Sequence, residues 1–277
     1  MSSVVHLISG LPRSGSTLLG AILNQNPAIR AGMSSPVAVM LDRIMPVMAA
    51  GEYASLFDDA QKVAVLRGVF EAYHGDARPP VLFDTNRAWC ARMAVADRMF
   101  PGVRVVCCVR DPVWILDSFE RAFRRHPFRL SRLHGLPNAG TVFDRAEQLM
   151  QPTGSLGAAW QAFQEAYFGE WAHRLIVVDY DELADEPDRV LAVLYAELGL
   201  PAFRHDFTAV GPANGEGVDE ALNTPGLHAV RPRVAREHRR TILPPQLVSR
   251  FANACFWRDG APGASNPGGA FVLAPGG

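Results

Sequence analysis

Two short stretches carry residue types and spacings suited to chemistry on an anion. The first, GLPRSGSTLL from Gly10, follows an apolar run and opens a helical one. Backbone N–H groups of Ser14 to Thr17 at a helix N-terminus, with the Ser16 and Thr17 hydroxyls beside them, would cradle a tetrahedral, negatively charged group. The glycines are spaced as in a P-loop nucleotide triphosphatase. Here, however, Ser16 stands where that class has lysine, and the cation, Arg13, lies inside the loop. The second stretch, VRDPVWILDS, sends Arg110 off the end of an apolar run. Pro112 opens a helix at a position where a missing N–H costs little. Ser118 follows about two helical turns after Arg110, so guanidinium and hydroxyl can converge on a second anion.

The elements that must position these groups are legible as a repeat. Val4–Ser9, Val81–Asp84, Val103–Val109 and Leu175–Asp179 are short apolar runs of the kind buried in parallel sheets. Each is followed by a helical pattern, at Leu18–Asn24, Trp89–Met99, Val113–Arg125 and Pro187–Leu198. Strand, loop and helix repeated in this way predict an α/β fold, a doubly wound parallel sheet flanked by helices. Ligands are then expected at the carboxyl ends of the strands. Residues 33–75 read as two further helices and residues 126–157 as a substrate-covering loop. Residues 1–259 form the expected single domain, and the glycine- and proline-rich tail, 260–277, is expected to be disordered.

Composition narrows the partners. With 277 residues, 48% hydrophobic, the chain has material for a sizeable core. A formal net charge of −1 gives no global field that favours nucleic acid or an anionic membrane, so any anion site must be local. No apolar stretch approaches the ~20 residues of a membrane helix. Cys90, Cys107, Cys108 and Cys255 form no C-x-x-C pair and read as small hydrophobes in a reducing, cytoplasmic setting.

Taken together, GLPRSGSTLL and VRDPVWILDS resemble the 3′-phosphoadenosine 5′-phosphosulfate-dependent sulfotransferases, in the branch of the protein-tyrosine sulfotransferases and many bacterial homologues. The resemblance implies that Arg13, Ser14, Gly15, Ser16 and Thr17 hold the 5′-phosphosulfate and that Arg110 and Ser118 hold the 3′-phosphate. VVDYDELADEP is similar to the family's segment after the fourth strand, which implies that Tyr180 lies beside the nucleotide. A late basic segment, 224–245, implies a further arginine on the 3′-phosphate, assigned to Arg231, with Arg233, Arg239 and Arg240 as alternatives. Sulfuryl transfer in this family proceeds without a metal, which accounts for the missing lysine: Arg13 would stabilise charge growing on the bridging oxygen.

The acceptor side is less determined. In LFDTNRAW the family's lysine is absent; Arg87 supplies the positive charge, while Asp84, Thr85 or Asn86 would otherwise cap the following helix. The tyrosine-sulfating branch has a glutamate where this chain has Ser34 in AGMSSPV. The general base is therefore assigned to Asp84, with His134 second; His126 and His228 also lie in loops that could reach a cleft, whereas His6 reads as core. The expected reaction is transfer to a hydroxyl, or second to it an amine, of a small molecule or peptide. The rivals are a P-loop small-molecule kinase and a catalytically inactive nucleotide-binding module.

Overall fold

Along one strand, Val105, Cys107 and Val109 enter one apolar cluster while Val106 and Cys108 enter another, so this run must lie between two layers of helices. The computed structural model describes residues 3–75, 79–125, 140–212, 218–221, 226, 228–259 and 269–274. In chain order they form β1 (Val4–Gly10), α1 (Ser16–Leu23), β2 (Ile29–Ser34), α2 (Val37–Ala49), α3 (Asp59–His74), β3 (Val81–Thr85), α4 (Met93–Met99), β4 (Val105–Val109) and α5 (Pro112–Arg125). They continue with α6 (Val142–Met150), α7 (Gly157–Phe168), β5 (Leu175–Asp179), α8 (Tyr180–Asp185), α9 (Pro187–Glu197), α10 (Val218–Ala221), α11 (Pro245–Phe251) and β6 (Phe271–Leu273).

The six strands are parallel, in the order β2-β3-β1-β4-β5-β6. One apolar cluster packs α2 to α7 and α11 on one face; the other packs α1, α8 and α9 on the opposite face. This is the α/β architecture expected from the repeat. The chain leaves β1 toward β2 and β3 and returns across it to β4, so the order reverses between β1 and β4, where a crevice opens at the strand tips. No helix among the described residues is long and apolar enough to cross a membrane.

Three expectations about organisation are corrected. Ile29–Ser34 is an edge strand that periodicity alone did not reveal, because only Ile29 and Ala31 of its residues are buried. The tail is not wholly without structure: Phe271–Leu273 pairs with Ile176–Val178, with Ala270, Val272, Leu273 and Ala274 buried. Its glycine- and proline-rich surroundings masked a short apolar run that the sheet can use. Within the expected covering loop, residues 126–139 lie outside the described residues. The rest includes α6, started by a capping box between Thr141 and Asp144 and tied to α5 by Arg145, whose Nε and Nη2 both lie 2.8 Å from Glu120.

Candidate active site

The Gly10–Thr17 turn is fixed by its backbone. Gly10 has φ 121° and lies so close to β4 that a Cβ would sit 2.0 Å from the Cys108 carbonyl oxygen. Leu11 N donates to that same oxygen at 2.9 Å. The buried Ser14 hydroxyl points back into the turn, 2.5 Å from Leu11 O and 2.8 Å from Cys108 O. The Ser14 side chain therefore fastens the turn, and its amide is the group left for a ligand, as the expected backbone cradle requires. α1 begins at Ser16 with no side chain capping it, so its first amides point toward the crevice without a capping partner.

Arg13 has φ 61°, a left-handed conformation found in no other non-glycine residue among those described. Its Nε donates to Ser118 Oγ at 3.1 Å, and its carbonyl accepts from Arg110 Nη1 at 3.3 Å. The two sequence motifs therefore meet. Burial, with the charge of Arg110 as the next cause, pushes the Arg13 guanidinium down to about 10. Burial likewise lowers Arg110, whose Nε has no hydrogen-bond partner among the described residues. Two adjacent guanidinium groups that are partly desolvated and mutually repelling make a site that an anion would relieve.

Tyr180, first residue of α8, is wedged into this junction. Arg110 lies over its ring at 4.1 Å, and a Cβ at Gly15, where φ is 92°, would come within 2.8 Å of its Cδ2. Thus Gly15 is needed both for the turn and for the close approach of the ring. The tyrosine expected beside the nucleotide does line the crevice.

The crevice has a volume of about 410 Å³ and is lined by eight arginines and one glutamate, in a chain whose net charge is −1. Arg87, Arg110, Arg125 and Arg233 have no carboxylate within ion-pairing distance among the described residues. The field is local, as composition required. Late in the chain, Asp117 of α5 receives Arg239 Nη2 at 2.7 Å, Thr241 Oγ1 at 3.1 Å and the Ile242 amide at 2.8 Å, while also holding Arg121. That buried carboxylate anchors the basic segment over Ser118. Arg231 is 72% exposed and paired with Glu237 at 3.1 Å, at the rim of the crevice.

On the acceptor side, Asp84 is corrected as the base. Its carboxylate is buried, accepts from Trp89 Nε1 at 2.7 Å and lies 2.9 Å from His74 Nε2, away from the crevice. A strand alternates its side chains: the neighbours Thr85, Asn86 and Arg87 line the crevice and Asp84 does not. Asn86 caps the turn Arg87–Arg92 through Ala88 N at 2.9 Å and donates to Ser35 O at 2.7 Å, so it is committed to structure. Arg87 is exposed at the crevice wall, and Ser34, paired with Thr85 across the sheet, also lines the crevice. His134 and His126 lie outside the described residues.

A profile of the sulfotransferase family matches residues 7–205. The chain belongs to the sulfotransferase family. Among solved structures, the sulfotransferase domain from the curacin biosynthetic pathway is similar at 16% identity and a TM-score of 0.53, covering 91% of this chain and 98% of that one. The sulfotransferase domain of the Synechococcus PCC 7002 olefin synthase is similar at 19% identity and a TM-score of 0.50, covering 91% and 94%. A Mycobacterium avium sulfotransferase, STF9, is similar at 14% identity and a TM-score of 0.50, covering 93% and 77%. These likenesses are of fold. No curated protein matches the chain.

In this sulfotransferase, sequence reasoning missed two arrangements. One is Asp117, which organises the late segment; its signal was an acid next to Ser118 on the buried face of an amphipathic helix. The other is a hydrogen-bonded pair at the crevice mouth between His228 and Asp219 of α10, with Nδ1 and Oδ1 2.5 Å apart. His228 was one of several loop histidines, and no spacing distinguished it.

Proposed function

We propose that this sulfotransferase moves the sulfuryl group of 3′-phosphoadenosine 5′-phosphosulfate to a hydroxyl of a small-molecule or peptide acceptor by in-line displacement. The observation that carries the reading is the 3.1 Å bond from Arg13 to Ser118. It joins an anion cradle at the tip of β1 to a second cationic site at the tip of β4, as a ligand with two anionic ends requires. The amides of Ser14 to Thr17 and the guanidinium of Arg13 hold the 5′-phosphate and stabilise the charge that grows on its bridging oxygen. Arg110, Ser118 and a residue of the late segment hold the 3′-phosphate. Among late residues, Arg233 fits this role better than Arg231, since it lines the crevice without a carboxylate partner. Arg87 faces the transferred group, and the crevice wall fixes the acceptor for attack. All four cysteines are free thiols, in keeping with a reducing cytoplasmic setting.

Calorimetric titration with 3′-phosphoadenosine 5′-phosphate tests the reading. Binding without added metal, and weaker binding of adenosine 5′-phosphate, are expected. A response to magnesium-ATP alone would overturn the reading in favour of a kinase, and binding with no sulfuryl transfer to any hydroxyl would favour an inactive module.

A further inference from the structure

The reaction needs a group that removes the acceptor proton, and the crevice offers few. Glu237 is already engaged by two guanidinium groups, Arg231 at 3.1 Å and Arg239 at 3.5 Å. The Tyr180 ring lies against Arg110, and the hydroxyls of Ser16, Thr17, Ser34 and Ser118 are weak bases. Asp84 is turned away. Among the described residues lining the crevice, His228 is the side chain left with a nitrogen lone pair suited to the task.

Its setting is built. One carboxylate, Asp219, accepts from the His228 backbone N–H at 3.0 Å and lies 2.5 Å from Nδ1. A carboxylate oxygen accepts, so Nδ1 carries the hydrogen and the lone pair is left on Nε2. Gripping backbone and ring together fixes both the loop and the plane of the imidazole. His228 and Arg13 line one crevice, so a base there shares the cavity in which the bond from sulfur to the phosphate breaks. Against the effect of burial, Asp219 is held low by its hydrogen bonds to His228 and, last, by the Arg13 charge.

We infer that His228, positioned by Asp219, takes the acceptor proton, an assignment that rests on the transferase reading above. As the acceptor oxygen forms its bond to sulfur, its proton passes to Nε2 of His228. The bond from sulfur to the bridging oxygen breaks, its electron pair stays on the 5′-phosphate, and the phosphoadenosine product leaves with that charge. Asp219 is a positioning residue: it sets the tautomer and supports the imidazolium, without touching substrate.

The experiment compares His228→Ala, Asp219→Asn and His134→Ala with the wild type in two directions of transfer. One is from the donor nucleotide to phenols of increasing pKa, and the other is from 4-nitrophenyl sulfate to 3′-phosphoadenosine 5′-phosphate. The nitrophenolate leaves without a proton, so the second direction is expected to survive in His228→Ala. With weakly acidic phenols the same variant is expected to lose roughly 10²–10⁴-fold in kcat, as for a missing general base. That loss shrinks as the phenol becomes more acidic, and imidazole added to the buffer restores part of it. Asp219→Asn should follow the same acceptor dependence with a smaller loss and no imidazole rescue. Nucleotide titration verifies that each variant folds. A uniform loss across all acceptors, or an acceptor-dependent loss in His134→Ala instead, overturns the assignment. A wild type that binds no nucleotide, or binds it and moves no sulfuryl group in either direction, overturns the transferase reading itself.

Discussion

The two walls of the crevice are built by different means. At the strand tips, Gly10, Gly15 and Pro112 dictate the path of the chain, and the ligand-facing groups ride on backbone that has few alternatives. Across the opening, the late segment is held by side chains: the ion pairs of Arg239 with Asp117 and of Arg236 with Asp181 and Asp185, and the hydrogen bond between His228 and Asp219. The first wall is a property of local conformation, the second of tertiary contacts. A turn that only glycine can make tolerates little change, whereas a wall of ion pairs can be re-aimed by exchanging charges.

Four substitutions test this contrast. Arg13→Ala strikes the rigid wall at its chemical centre and should lower kcat by roughly 10²–10³-fold, the cost of losing one preorganised stabiliser of transition-state charge. Steady-state sulfuryl transfer measures it, and a fall in nucleotide affinity with kcat intact would instead make Arg13 a binding residue only. Gly15→Ala adds a Cβ 2.8 Å from Tyr180 at φ 92°. The strain, about 1–3 kcal/mol, should weaken 3′-phosphoadenosine 5′-phosphate binding by roughly 5–150-fold, and Tyr180→Ala in the same chain should recover part of it. Asp84→Asn should cost about 1–3 kcal/mol in urea denaturation, by weakening the hydrogen bonds of buried Trp89 and His74, with kcat unchanged. A large drop in kcat would reinstate Asp84 in the chemistry. Smallest is Arg231→Ala, on the adjustable wall: an exposed ion pair is worth at most ~1 kcal/mol, so nucleotide affinity should change by about fivefold or less.

How far the sequence foretold this molecule follows the same division. β1, β3, β4 and β5 and the helices after them were legible because burial on both faces demands continuous apolar runs. The junction of Arg13, Arg110 and Ser118 was legible because glycine and proline punctuate the backbone on either side of it. Asp84 was misjudged by one residue of strand register: the tip of β3 was identified, but Asp84 and Thr85 face opposite sides of the strand, and it is Thr85 that turns to the crevice. The His228–Asp219 pair could not be read at all, because two residues nine apart in a segment without periodicity carry no signal until folding brings them together.

The strand Phe271–Leu273 joins a neighbour formed much earlier in the chain, Ile176 lying beside Phe271. Whatever order the rest follows, the edge next to the strand that ends at Asp179, just before Tyr180, stays open until residues 269–274 have been synthesised and docked. Shortening the chain to remove an unpromising-looking end would therefore uncover the flank of the catalytic sheet.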